Sequence, residues 1–346
     1  MKEYFFLVMT DRKTGPGDRV AAGVLYFVSI LYAMVMRFRG RMYKRGFFKV
    51  RKAAVPVISV GNITLGGTGK TPFVAFLADR LTALGMKPAV LTRGYGDDEH
   101  RMLRDDIPDV PVVVGSNRVR NAEKAVRLGA NILIMDDGFQ HRRLGRDLDI
   151  VLLDSAKPFG NGYVFPRGTL REPQDAIRRA DVVVLSKCDK IPEGTDLKKI
   201  AGNLDIRQGV PVIAIKYKAK FLSDVTGAVY PAENFKGKKV CIVSGIADPE
   251  YFGSMVGKTG AIIESERYFM DHHAYTQNDV NEILRMCVRN EADAVIVTAK
   301  DYVKLRKLDL SELESKLFVL KISVDITQGE EVFSAGLNSL IHASRS

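Results

Sequence analysis

Val55-Pro56-Val57-Ile58-Ser59-Val60-Gly61-Asn62-Ile63-Thr64-Leu65-Gly66-Gly67-Thr68-Gly69-Lys70-Thr71 is the stretch that decides the fold of this chain. Val55 to Val60 is an apolar, β-branched run that ends in Gly61 and Asn62, and it reads as a buried strand. From Thr71 to Leu84 apolar side chains (Phe73, Phe76, Leu77, Leu81) recur at helical spacing, and the pattern stops at Gly85. A glycine-rich loop between a strand and a helix is the setting a phosphate-binding loop requires. Gly66, Gly67 and Gly69 let backbone N–H groups face phosphate oxygens with no side chain between. Lys70 reaches the β- and γ-phosphates as a point charge, the Thr71 hydroxyl suits Mg²⁺, and the helix N-terminus adds its positive dipole end. Thr64 stands where the usual pattern has its first glycine. The reading therefore places a nucleoside triphosphate on Thr64, Leu65, Gly66, Gly67, Thr68, Gly69, Lys70 and Thr71, and leaves open a kinase, a GTPase or a motor.

Working outward, Pro88–Leu91, Val110–Val114, Ile132–Met135, Ile150–Leu153 and Val182–Leu185 are further short apolar strands, with a basic helix between Asn117 and Leu128. Strand–helix alternation predicts a mostly parallel sheet with helices on both faces. The pattern changes between 210 and 239, where alternating residues with Gly227 and Pro231 predict a small antiparallel β-ribbon. A second α/β series starts at Val240, and residues 330–344 read as an amphipathic helix. The expected organisation is an N-terminal segment 1–52, a P-loop domain 53–209, a ribbon linker 210–239 and a smaller α/β domain 240–346.

The chain has 346 residues, 46% of them apolar and 27% charged, which excludes global disorder. Three cysteines far apart, with no C-x-x-C pair, exclude a disulfide scaffold and a zinc knuckle. Lys and Arg number 52 against 41 Asp and Glu, a net charge of +11. Arg37, Arg39, Arg41, Lys44, Arg45, Lys49, Arg51 and Lys52 supply +8 of it within sixteen residues that contain no acid. Nucleic-acid binding would more often spread this charge over a folded face. Here it follows Val20–Met36, seventeen uncharged and mostly apolar residues. As a helix these are about 26 Å long, at the short edge of a hydrocarbon core of about 30 Å. An apolar run with a polybasic flank predicts a membrane-associated helix that holds the rest of the chain on the cytoplasmic side. A core helix is the competing reading.

Other residues carry weaker signals. Asp136 and Asp137 end the strand Ile132–Met135, where sheet ligands bind, and a carboxylate there can order Mg²⁺ beside phosphates. Arg93-Gly94-Tyr95-Gly96 leads into Asp97, Asp98 and Glu99, which is either a solvated acidic loop or the source of a general base. Asp271-His272-His273 is a carboxylate–imidazole candidate or a surface turn. Pro166 to Pro173 places Arg167, Arg171 and Glu172 in one loop. Leu185-Ser186-Lys187-Cys188-Asp189 is similar to the element by which GTPases read guanine, and makes a P-loop GTPase of the metal-chaperone or transport type the alternative.

Taken together, PVISVGNITLGGTGKTP (56–72), LTRGYG (91–96), VPVVVGSNRV (110–119), MDDGFQHRRL (135–144), FGNGYVFPRGTLREP (159–173), MDHHAYT (270–276) and TAKDYVKL (298–305) resemble the tetraacyldisaccharide 4′-kinases of lipid A biosynthesis over nearly the whole chain. The resemblance implies a P-loop fold with a second α/β domain on a β-ribbon. It also implies transfer of the γ-phosphate of ATP to the 4′-hydroxyl of a tetraacyl glucosamine disaccharide 1-phosphate, giving lipid IVA at the inner membrane. Carried over by position, it implies Lys70, Asp98 and His272 as catalytic, with Asp97 the alternative base. Thr71, Asp136, Asp137, Gln140 and Glu172 fall around Mg²⁺, and Arg93, Tyr95 and Arg171 near the lipid substrate. No nucleic acid and no obligate protein partner are expected. Two departures stand out: Asp97-Asp98-Glu99-His100 replaces a GDEP-like motif, and Ala299 stands where the family usually has Glu.

Overall fold

A computed structural model of the chain describes residues 2–11, 13–94, 97–191, 195 and 197–345, without the side chains of 2, 3, 97, 98, 197, 198, 344 and 345. The chain forms two compact units, Met1–Arg93 with Asp109–Lys216 and Ile326–Ser346, and Gly94–Pro108 with Tyr217–Asp325. In chain order the elements are α1 (Lys2–Met9), α2 (Pro16–Lys44), β1 (Val57–Asn62), α3 (Lys70–Ala83), β2 (Pro88–Thr92), α4 (Asp97–Asp106), β3 (Val112–Val114), α5 (Arg118–Arg127), β4 (Ile132–Asp136), β5 (Leu148–Asp154), β6 (Val182–Ser186) and α6 (Leu197–Gly202). There follow β7 (Val212–Asp224), β8 (Val229–Pro231), β9 (Lys239–Ser244), α7 (Pro249–Gly257), β10 (Ile262–Tyr268), α8 (Gln277–Arg289), β11 (Ala294–Thr298), α9 (Ala299–Leu305), β12 (Leu317–Gln328) and α10 (Glu330–Arg345).

The first unit is built on parallel strands in the order β3-β2-β4-β1-β5-β6-β7. β1, β2, β4 and β6 are buried at every residue, as parallel strands covered on both faces must be. Ala89, Leu91, Leu133 and Met135 pack with Ala122 and Ala125 of α5. The period of two then turns Val90, Ile132 and Ile134 to the opposite face, and α3 packs on β1, β2 and β4. Because the strands are parallel, all their carboxyl ends meet one edge. Val60 of β1 is in register with Asp136 of β4, so the loop after β1 and the acids after β4 emerge side by side.

The second unit has parallel strands in the order β10-β9-β11-β12. Its core joins Val243, Val280, Ile283, Val295, Val297 and Val319. β7 and β8 form the antiparallel hairpin expected within 210–239, turned at Gly227 with φ +90°. The companion of β7 is also β12, more than ninety residues along: Thr327 Oγ1 donates to the Ala214 carbonyl at 3.1 Å, and Lys218 pairs with Asp325 at 2.7 Å. Local alternation exposes β7 but carries no trace of that distant partner.

Two other differences concern the unit boundaries. Residues 330–344 were read with the C-terminal α/β series, yet α10 belongs to the first unit. Phe333, Leu337 and Ile341 form a buried stripe, and the Phe333 ring lies 6.1 Å from that of Phe73 on α3. Arg80 of α3 donates to Ser334 at 2.7 Å and pairs with Glu330. Asp97, Asp98 and Glu99, read as either a solvated acidic loop or the source of a general base, open helix α4, which belongs to the second unit. Its Leu103 is fully buried, and Asp105 and Asp106 pair with Arg306 and Lys321 at 3.0 and 2.6 Å. Tertiary packing supplies what the acid-rich sequence lacks.

α2 is longer than the apolar run that announced it. It is long and apolar enough to cross a membrane, with only 6% of its most apolar window buried. Leu25, Ser29, Tyr32, Met36, Arg39 and Tyr43, three or four apart, turn toward the protein, while Val20, Val24, Phe27, Leu31, Val35 and Phe38 are exposed. A buried core helix is excluded.

Truncating Phe333 tests the docking of α10. Phe333→Ala is expected to cost about 3–5 kcal/mol, seen in a thermal melt as a fall of roughly 10 °C.

Candidate active site

The loop after β1 is held in shape by bonds within the chain. Gly66 and Gly69 take φ of +115° and +80°, conformations that favour glycine. Gly69 precedes Lys70, the first residue of α3. The Asn62 side-chain amide donates to Thr68 Oγ1 at 3.1 Å. On its other side the loop is tied to the segment 164–171: Leu65 N donates to the Thr169 carbonyl at 2.6 Å, and Arg171 N to the Ile63 carbonyl at 2.8 Å. The Pro166–Pro173 stretch is thus a wall of the phosphate loop.

That tie brings Arg171 against the acids after β4. Arg171 Nη1 donates to both oxygens of Asp137 at 2.8 and 2.7 Å, and Lys70 Nζ lies 3.5 Å from Asp137. Burial pushes the Asp137 carboxyl up, but Lys70 and Arg171 together outweigh it and hold it below the usual carboxylate range. Gln140 Nε2 donates to the Asn62 carbonyl at 3.0 Å. Its side-chain oxygen accepts from Arg171 at 3.5 Å. Asp136 is buried at the end of β4 and accepts from Thr92 Oγ1 at 3.3 Å. Thr71 follows Lys70 on the first turn of α3. Glu172 lies deeper, with both oxygens taken by Arg179 at 2.9 and 3.0 Å. Among the described residues no three His, Cys, Asp or Glu side chains gather as a metal cluster. The donors that do gather are oxygens, the set a hard cation such as Mg²⁺ takes while keeping water and phosphate ligands.

The second unit carries the other expected residues. His272 sits at φ +62°, with its N–H donating to the Gly245 carbonyl at 3.2 Å. Lys300 Nζ lies 2.9 Å from Asp271 Oδ1 and 3.2 Å from His272 Nε2, which makes that ring nitrogen the acceptor. His273 instead stacks on Phe269 at 4.4 Å and bonds Asp279 at 3.1 Å. Asp301 is fully buried and accepts from Gly245 N, Tyr275 and Thr298 at 3.0, 3.0 and 2.6 Å. The TAKD stretch thus contributes a framework aspartate and the lysine beside His272. Asp98 lies on the first turn of α4 with its side chain outside the described residues. Tyr95 lies outside them altogether, and Arg93 is exposed just beyond β2.

Comparison with known proteins gives the family. The family described as Tetraacyldisaccharide-1-P 4′-kinase matches residues 21–342. The chain belongs to that family. The tetraacyldisaccharide 4′-kinase of Desulfatibacillum aliphaticivorans is 36% identical over 359 residues, covering 94% of this chain and 95% of the relative. That of Bdellovibrio bacteriovorus is 40% identical over 303 residues, covering 81% and 88%. Among solved structures, LpxK from Aquifex aeolicus, crystallised in complex with ATP, superposes with a TM-score of 0.73 at 29% identity, covering 94% of this chain and 99% of that one. Family membership makes this chain a kinase.

Several charged residues around Asp136, Gln140 and Glu172 were not singled out by the sequence. Arg118, 3% exposed, donates to the Asp136 carbonyl at 2.9 Å. Its clue was the GSNR turn, in which Asn117 caps α5 by accepting from Arg120 N. Arg179 grips Glu172 and lies 4.1 Å over the Phe139 ring. His141 is pushed down to about 4 by burial and by the charges of Arg118, Arg146, Arg39 and Arg143, so it is neutral at pH 7. In the SKCD stretch, Lys187 is buried and pairs with Asp154 at 3.1 Å.

Two outcomes test these electrostatics. Arg179→Met strands the Glu172 carboxylate and should cost about 3–5 kcal/mol; Arg179→Met with Glu172→Gln should recover part of it in thermal melts. For His141 the folded value lies below the unfolded one, so protonation favours the unfolded chain. Its contribution to stability is lost as pH falls from about 6.5 to about 4. Melting temperature should therefore decline less steeply over that window in His141→Gln than in the wild type.

Proposed function

We propose that this protein transfers the γ-phosphate of ATP to the 4′-hydroxyl of a tetraacylated, β-1,6-linked glucosamine disaccharide 1-phosphate, giving lipid IVA in lipid A biosynthesis. The observation that carries the reading is the phosphate loop with Lys70 and Arg171 converging on Asp137 at the carboxyl ends of β1 and β4. Phosphoryl transfer passes through a loose transition state, so positioning and charge neutralisation do most of the work. Loop amides and the α3 N-terminus receive the phosphates. Lys70 exchanges the Asp137 carboxylate for a phosphate oxygen, a small movement for a flexible lysine already at the loop. Mg²⁺, held by Thr71, Asp136, Asp137 and Gln140, would neutralise charge on the β- and γ-phosphates. Glu172 reaches such an ion only by releasing Arg179.

Asp98 is the base proposed to take the 4′-hydroxyl proton. His272 lies in the same unit as α4 and, kept an acceptor by Lys300, is proposed to relay or orient that proton. The cationic partner of the 1-phosphate is proposed among the exposed residues of 37–52 and Arg171. The exposed apolar face of α2, with the basic run after it, supports residence on the cytoplasmic face of the inner membrane. There the acyl chains can stay in lipid during the reaction.

The test is an incubation with γ-labelled ATP, Mg²⁺ and the tetraacyl disaccharide 1-phosphate in detergent micelles. Labelled bisphosphate lipid is expected from the wild type and none from Lys70→Ala. Asp98→Ala should lower kcat by about 10²–10⁴ with ATP affinity little changed. No labelled lipid from a preparation that hydrolyses GTP in preference to ATP would overturn the proposal.

A further inference from the structure

The inner face of α2 reaches the two loops that surround Asp137. Tyr32 Oη donates to the Arg171 carbonyl at 3.1 Å. Arg39 Nη2 donates to the Gln140 carbonyl at 2.8 Å. A reciprocal bond runs back from Arg142 Nη1 to the Gly40 carbonyl at 3.3 Å. The guanidinium groups of Arg142 and Arg39 lie 4.9 and 5.6 Å over the Tyr43 ring, which fixes the end of the helix between them. The two carbonyls gripped by the helix belong to residues whose side chains meet at the site: Arg171 holds Asp137, and Gln140 bridges the Asn62 carbonyl and Arg171.

These contacts lock each loop from two sides. The backbone N–H of Arg171 is held by Ile63 at the exit of β1 and its carbonyl by Tyr32. Gln140 has its side chain on Asn62 and its carbonyl on Arg39. A passive tether would need only apolar contacts along the buried stripe. The observed contacts include a hydroxyl and a guanidinium, each aimed at a main-chain carbonyl of a loop whose side chain faces the phosphate loop. The opposite face of the same helix carries the exposed Val20, Val24, Phe27, Leu31, Val35 and Phe38.

We infer that Tyr32 and Arg39 are positioning residues for phosphoryl transfer, so that the helix offered to lipid also sets the geometry of Arg171, Asp137 and Gln140. The inference rests on the kinase reading above. It makes the helix a working part of the site: a shift or fraying of α2 loosens both loops together. A displacement of about 1 Å at reacting groups can cost roughly 100-fold in rate.

The experiment uses the full-length protein and the variants Tyr32→Phe, Arg39→Gln, Arg39→Lys and the double Tyr32→Phe/Arg39→Gln. Activity is measured in mixed micelles, vesicle binding by co-sedimentation with anionic phospholipid vesicles, and loop protection by amide hydrogen exchange. Each of Tyr32→Phe and Arg39→Gln is expected to lower kcat about 10-fold, and the double about 100-fold, with the KM for ATP within about twofold. Vesicle binding should be unchanged, and Arg39→Lys should recover part of the loss by restoring a charged donor of similar reach. Phe27→Ser/Leu31→Ser, on the outer face, should do the reverse and weaken vesicle binding while leaving kcat in micelles unchanged. Exchange at residues 138–142 and 169–172 should quicken in the double variant whatever substrate is supplied, so the inference stays readable even if the wild type fails to phosphorylate the lipid. That failure would sink the kinase reading alone. Wild-type kcat in the double variant, unaltered loop exchange, or a loss of activity that follows vesicle binding rather than loop exchange would each overturn the positioning role.

Discussion

The Asp137 carboxylate is the point on which separate parts of the first unit converge. It follows β4 directly, in the left-handed region at φ +50°, a conformation Asp tolerates better than most residues. Lys70 comes to it from the phosphate loop and Arg171 from the segment that walls that loop. Without the acid, two cations would face each other at the mouth of a helix N-terminus, already a positive end. With it, Lys70 and Arg171 share one carboxylate and a surplus of positive charge remains beside the loop. Arg118, buried against the Asp136 carbonyl, adds to that surplus. The geometry of the loop therefore rests on bonds within the chain itself.

What was legible in the sequence was local. The apolar runs of β1, β2, β4 and β6, the glycines of the phosphate loop and the acids after β4 all announce themselves within a few residues, because a parallel strand buried on both faces has no other composition open to it. What was not legible depends on partners far along the chain. β12 beside β7, α10 on α3, and the burial of Leu103 in α4 are each decided by surfaces that no window of ten residues contains. The side chains of the site divide in the same way. Lys70, Thr71, Asp136 and Asp137 sit in readable motifs. Arg179 is invisible until Glu172 and Phe139 are seen around it, and Tyr32 was counted only as part of an apolar run.

The basic segment shows how a correct sum can hide a division of labour. Of the eight cations between Arg37 and Lys52, seven are exposed, and Arg39 turns inward to the Gln140 carbonyl. Arg51 is exposed in its side chain, yet its backbone is bonded to Arg143, so the far end of the run is anchored to the fold. At about 1 kcal/mol for each cation near an anionic surface, losing one to the interior changes lipid attraction little. The same residue gains a bond to a loop of the site.

The direction in which α2 faces also constrains how it can meet lipid. Tyr32 lies within the apolar run, and its hydroxyl is bonded to the backbone of Arg171. If that run crossed a bilayer, Arg171, Asp137 and Lys70 would be drawn toward the hydrocarbon with it. Ionised groups there are costly even when paired. The phosphates of a nucleotide and a water-soluble leaving group would have to follow them. A helix with one face committed to charged loops, an opposite face apolar from Val20 to Val35 and exposed cations after it has the pattern of a helix that lies in an interface and not of one that spans. The length of α2, which alone would allow it to cross, does not decide the matter, because a helix lying in the interface is limited by the width of its apolar face and not by the thickness of the membrane.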